Sequence, residues 1–136
     1  MRSLTVPAND EDPEPIVEFV KQELSQYDCP PKALYHIEVA IEEIIVNIVN
    51  YAGLLPEDGV EVRCEVLDDP LRVVIQFLDR GVPFDPLARE DPDTSAEALM
   101  ESEGGLGILM VKKMMDDVSY AYESGKNTLT ILKRLT

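Results

Sequence analysis

The chain has 136 residues, enough for one folded domain with its own core and too few for two. With 12 basic residues against 27 acidic ones, its formal charge of -15 at pH 7 disfavours nucleic-acid backbones and anionic membrane surfaces as partners. One histidine and two cysteines exclude multi-histidine metal sites, most histidine-based triads, disulfide frameworks and four-ligand zinc sites.

The opening MRSLTVPANDEDPEP lacks the apolar core of a secretory signal, and no apolar run approaches the roughly 20 residues of a spanning helix. A cytoplasmic domain spanning residues 1–136 is predicted, with Cys29 and Cys64 as reduced, structural thiols. Ser3 to Pro7 reads as a short strand, and NDEDPEP as a loop and helix start with Asp12 as N-cap and Pro13 at N1. Ile16, Val17, Phe19, Val20 and Leu24 then recur at helical spacing up to the break at Asp28-Cys29-Pro30-Pro31. From Lys32 to about Tyr51 runs the longest helical pattern, with Leu34, Ile37, Ile41, Ile44, Ile45 and Ile48 as its apolar stripe before Gly53.

Val60 to Val66 alternates as a strand, Asp68-Asp69-Pro70 turns, and Leu71 to Leu78 reads as a second, more buried strand of the same hairpin. Leu87 to Glu103, polar, acidic and weakly patterned, is a candidate lid. Ile108 to Met115 reads as a helix, and Val118 to Tyr122 and Thr128 to Leu135 as strands joined by Ser124-Gly125-Lys126-Asn127. The order βααββ, lid, αββ predicts an α+β fold: a two-layer sandwich of one mixed, mostly antiparallel sheet with helices on one face.

Three places carry candidate chemistry. Glu43 and Asn47 lie one turn apart on the margin between the isoleucine stripe and the exposed acids Glu38 and Glu42, a margin shared by Asn50 and His36. Read alone, they are equally an ordinary boundary pair. Asp79, at the end of a buried strand, is suited to accept a hydrogen bond from an exocyclic amino group, with Gly81 letting the backbone turn closely; a plain strand-end turn has the same wording. Glu103-Gly104-Gly105-Leu106-Gly107 sets three glycines against a helix start, whose free N–H groups and positive dipole end suit phosphate, or else forms a hinge. Lys112 and Lys113 read as a solvated face, and the place of Arg80 stays open.

Taken in order, Glu43-x-x-x-Asn47, Asp79-x-Gly81-x-Pro83-Phe84-Asp85, Glu103-Gly104-Gly105-x-Gly107 and Asn127-Thr128-Leu129-Thr130 resemble the N box, G1 box, G2 box and terminal threonine of the GHKL ATPases with the Bergerat fold. The wording is most similar to the small bacterial anti-sigma-factor serine kinases, from about residue 5 to the C-terminus. Two departures stand out: Tyr51-Ala52-Gly53 where many relatives have His-Ala-Tyr, and Leu106 where some carry a basic residue.

The resemblance implies an ATP-binding kinase. Asn47 would supply an oxygen to Mg²⁺ and Glu43 would orient or deprotonate the attacking hydroxyl. Asp79 would hold the adenine amino group, helped by Gly81, Phe84 and Thr128. Gly104, Gly105 and Gly107 would close on the phosphates. Implied partners are a sigma factor or similar client and an anti-anti-sigma antagonist of the STAS type, with a homodimer possible. The alternative is a nucleotide-binding module that sequesters its client without catalysis.

Overall fold

Strand alternation and helical spacing resolve into two layers in the computed structural model, which describes residues 1–8, 12–87 and 105–136. The candidate lid after Leu87, and Gly104 with it, lie outside the described residues. Strand β1 (Arg2–Val6) leads to helix α1 (Glu14–Leu24) and the long helix α2 (Pro31–Tyr51). A single 3-10 turn (Pro56–Asp58) precedes the hairpin of β2 (Val60–Leu67) and β3 (Arg72–Asp79). Helix α3 (Gly105–Met114) and the hairpin of β4 (Asp117–Glu123) and β5 (Lys126–Arg134) complete the described fold.

The five strands form one sheet in the order β1-β2-β3-β5-β4. All four pairings among the described residues are antiparallel, without the parallel pairing that a mixed sheet would allow. β5 slots between β3 and β4, so the second hairpin enters the sheet beside the end of the first.

The helix boundaries follow local chemistry. Asp12 accepts the N–H of Glu14 at 3.0 Å and thus serves the first turn of α1, although the helix proper begins after Pro13. Pro30 is extended and Pro31 opens α2, where a missing N–H costs nothing. At the other end the Ala52 N–H closes on the Ile48 carbonyl at 3.0 Å, and Gly53 takes φ +65° to leave the helix.

The inward rows of the sheet are Val60, Val62 and Cys64 on β2, Val73, Ile75 and Phe77 on β3, and Leu129 and Ile131 on β5, all buried. Against them α2 sets Ile37, Ile41, Ile44, Ile45 and Ile48, also buried, and α1 adds Ile16, Val17, Val20 and Leu24. Each fully buried isoleucine contributes roughly 1.5–3 kcal/mol relative to exposure, so α2 is held chiefly by this face. At the far end Lys133 reaches in from β5 and donates to the Met114 carbonyl at 2.6 Å, placing a cation at the C-terminus of α3. No described helix is long and apolar enough to cross a membrane.

Cys64 sits within this core, and burial, reinforced by Glu23 and Glu65, pushes its thiol up to about 12. Cys29 is half-buried and its thiol is raised by burial too. Because a raised pKa keeps the unreactive thiol form at neutral pH, Cys64 should resist alkylation at pH 8 in the folded protein and react once denatured, as read by mass spectrometry. Rapid labelling of native Cys64 would contradict this packing. Ile44→Ala should lower unfolding free energy by about 2–5 kcal/mol in urea titrations, since the site is sealed on all sides and cannot collapse freely.

Candidate functional site

At one end of the sheet the inward row turns polar. Asp79 is the last residue of β3 and faces Asn127 in register on β5, and these are the two buried polar residues among the described ones. Asp79 Oδ1 accepts the Gly81 N–H at 2.9 Å and the Asn127 amide at 3.0 Å. The Asn127 amide also donates to the Val82 carbonyl at 2.9 Å, while its carbonyl oxygen accepts from the Phe84 N–H at 3.1 Å and from the Tyr120 hydroxyl. Burial raises the Tyr120 phenol above its ordinary value, so it stays a donor. One side chain thereby fastens the 81–84 loop, β3 and β4 together.

That loop presses on the end of α2. The Val82 N–H donates to the Ala52 carbonyl at 3.0 Å, and Phe84 stacks on Tyr51 with ring centroids 5.6 Å apart. A Cβ on Gly81 would fall onto the Ala52 carbonyl and lie 2.9 Å from Asp79 Oδ1. Gly81 thus turns closely around the helix terminus.

Asp79, Asn127, Phe84, Asn47 and Ala52 line a small cavity of about 30 Å³ between α2 and the sheet. Asn47 also faces a larger cleft of about 390 Å³, shared with Glu43, Asn50, Tyr51, Gly107 and Ile108. Glu43 and Asn47 are half-exposed on one side of α2, as their spacing predicts. The first turn of α3 closes the cleft's other wall: a Cβ on Gly107 would meet Glu43 Oε2. Two adjoining hollows thus share Asn47, one ending on a carboxylate, the other bounded by a carboxylate and a helix N-terminus.

The expected residues do not all arrive here. Glu43, Asn47, Asp79, Phe84 and Gly107 line the two hollows, and Gly105 opens α3. Thr128 belongs elsewhere: strand alternation turns it to the opposite sheet face, beside Leu78 and Ala121 in register, and Asn127 takes the place expected of it. A one-residue difference in register was the missing information, and the polar Asn127 in an otherwise apolar row of Leu129 and Ile131 was the available signal. His36 lies about three turns before Asn47 on α2, next to Lys133 at 3.2 Å; burial first, then Lys133 and Lys32, hold its pKa below the usual value. Lys113 and Arg80 are exposed, and Arg80 lines a separate hollow with Lys126.

A profile of the histidine kinase-like ATPase domain matches residues 6–133. The serine-protein kinase RsbW of Listeria monocytogenes is 32% identical over 98 residues, which span 69% of this chain and 62% of that protein. The serine-protein kinase RsbW of Bacillus pumilus is 33% identical over 96 residues, 65% of this chain and 58% of that protein. The chain thus matches about three-fifths of the length of these relatives. Among solved structures, the RsbU and RsbW domains of Rv1364c from Mycobacterium tuberculosis superpose with a TM-score of 0.68 at 16% identity, covering 98% of this chain and 32% of that one. The SiaB–SiaC complex from Pseudomonas aeruginosa gives 0.60 at 15% identity, covering 98% of this chain and 89% of that one; at these identities both likenesses establish the fold alone.

The two glycines should respond oppositely to alanine. Gly81→Ala drives a methyl into fixed backbone and should cost about 1–3 kcal/mol in urea unfolding. Gly107→Ala meets only the movable end of Glu43 and adds helix propensity, so stability should stay level or rise by up to about 1 kcal/mol. Equal losses for both would show that the 81–84 loop is not pinned as described.

Proposed function

The chain belongs to the histidine kinase-like ATPase family, and from that premise we propose that it binds Mg-ATP and phosphorylates serine or threonine on a small antagonist protein. In this reading it holds a sigma factor or similar client, and releases it when an anti-anti-sigma antagonist of the STAS type binds. The relatives named serine-protein kinase support the reaction, and that one protein of this fold, SiaB, forms a complex with SiaC is in keeping with a protein partner.

The observation that carries the reading is the free half of a buried carboxylate. Asp79 is only 5% exposed, its Oδ1 is engaged twice, and Oδ2 has no protein partner among the described residues while the side chain lines the cavity. An acceptor so placed matches an exocyclic amino group, and Phe77, Leu129 and Ile48 supply the apolar walls a flat base needs.

The donor set also fits a hard cation. The Asn47 side chain makes no hydrogen bond among the described residues and stands where the base cavity meets the larger cleft, so its amide oxygen is available to Mg²⁺. Mg²⁺ when bound would neutralise charge on the phosphate oxygens. Glu43, one turn earlier, faces the same cleft and would accept the proton of an attacking hydroxyl. The first turn of α3 offers unpaired N–H groups and its positive dipole end to anionic oxygens, with Gly107 keeping that approach free of side chain.

Calorimetric titration of ATP and ADP, with and without Mg²⁺, tests binding. Asp79→Ala should abolish detectable binding of both nucleotides, and Asn47→Ala should remove the Mg²⁺-dependent part. Label transfer from ATP to a STAS-type antagonist should occur with wild type and fall by about a hundredfold or more with Glu43→Gln. Nucleotide binding without transfer to any antagonist would leave the sequestering module as the function; no binding at all would end the nucleotide reading.

A further inference from the structure

We propose that His36 is a pH-sensitive latch on α3. Its neutral ring holds the Lys133 ammonium on the C-terminus of that helix, and protonation of the ring releases the hold. The latch involves no bound nucleotide, so it stands or falls apart from the kinase reading above.

Strand alternation puts Lys133 in the inward row of β5, after Leu129 and Ile131 and opposite the buried Val73. A cation delivered there must find acceptors. The chain has 27 acidic residues, yet among the described ones Lys133 makes no ion pair. It donates instead to the Met114 carbonyl at 2.6 Å and meets His36 Nδ1 at 3.2 Å. An ammonium has three donors and no lone pair, so Nδ1 is the acceptor and carries no proton. Met114 is the last residue of α3, and its carbonyl is one of those a helix leaves without an internal partner. One side chain on β5 thus ties the end of α3 to α2.

A carboxylate in the place of His36 would remain an acceptor in mild acid; an imidazole does not. Once protonated, Nδ1 becomes a donor and the ring sets a second positive charge against the ammonium. The charges that act on His36 are Lys133 on β5 and Lys32 on its own helix, both cations, and α3 presents the Met114 carbonyl across Lys133. Burial and these two cations already hold the ring below its ordinary value of 6.5, so the fold favours the neutral form. The latch is therefore fully engaged above that ordinary value and is lost as pH falls through the lower value of the folded state. At its other end α3 brings Gly107 against Glu43, so the element released is the one that walls the larger cleft.

Amide hydrogen exchange on the full chain, corrected for intrinsic rates, reads the latch between about pH 7.5 and about pH 5.5, above the ordinary range of carboxylates. Protection in the last turn of α3, where the Met115 N–H closes on the Val111 carbonyl at 2.9 Å, should fall by about tenfold across that window in wild type. His36→Asn sets an amide oxygen near the place of Nδ1 that does not titrate, and should keep protection level. As the chain has one histidine, the ring signal in proton NMR reports His36 alone, and in Lys133→Met it should titrate closer to 6.5 than in wild type. Level protection in wild type would mean that the ring swings out and leaves Lys133 in place, which overturns the inference. An equal fall in His36→Asn would assign the response to other groups and overturn it too. Should His36→Asn fail to fold, an unmoved ring titration in Lys133→Met overturns it instead.

Discussion

A carboxylate carried into a protein interior must be met by donors, and the site end of this sheet is arranged around that requirement. Asp79 terminates a row of apolar residues that α2 covers, so its side chain is delivered inward by the same alternation that buries Val73, Ile75 and Phe77. Water cannot solvate Oδ1 there, and the chain supplies the Gly81 N–H from the next turn and the Asn127 amide from the neighbouring strand. Satisfying one oxygen this way dictates the path of residues 81–84, the side chain admitted at position 81, and the pairing of β5 between β3 and β4. The cavity beside it is what remains once those demands are met.

The helices and strands were legible because their apolar periods are unambiguous. Five isoleucines on one stripe of α2 leave it a single way to face, and Val60 to Val66 alternates without a break. Glu43 and Asn47 were legible for the same reason, since four residues of helix fix their relation whatever the tertiary context. Asn127 was not, because on a strand one residue of uncertainty exchanges the two faces, and the sequence reading chose the neighbouring threonine, where the structure sets the asparagine beside Asp79. Strand order also lay beyond local pattern: nothing in Lys126 to Arg134 says that its neighbours will be β3 and β4.

Gly81 also answers a demand that its local wording does not reveal: its lack of a side chain permits a close approach to the Ala52 carbonyl at the end of α2. The N-terminal pattern was displaced mildly. Asp12 still takes a free N–H of the first turn, although α1 begins two residues later and Pro13 occupies the boundary.

The length of α2 has a mechanical side. Its 21 residues form a rod about 30 Å long whose apolar face is sealed into the sheet along its whole course, from Ala33 to Ile48. Asn47 and Glu43 ride on that rod as fixtures, and their separation is set by helix pitch alone. The opposing wall is held by mixed means: the 81–84 loop through hydrogen bonds and a ring stack, and α3 through the buried Ile108 and Val111 together with a cation at its distal end. The cleft is therefore walled on one side by a continuous helix face and on the other by a helix start that is itself packed on the core.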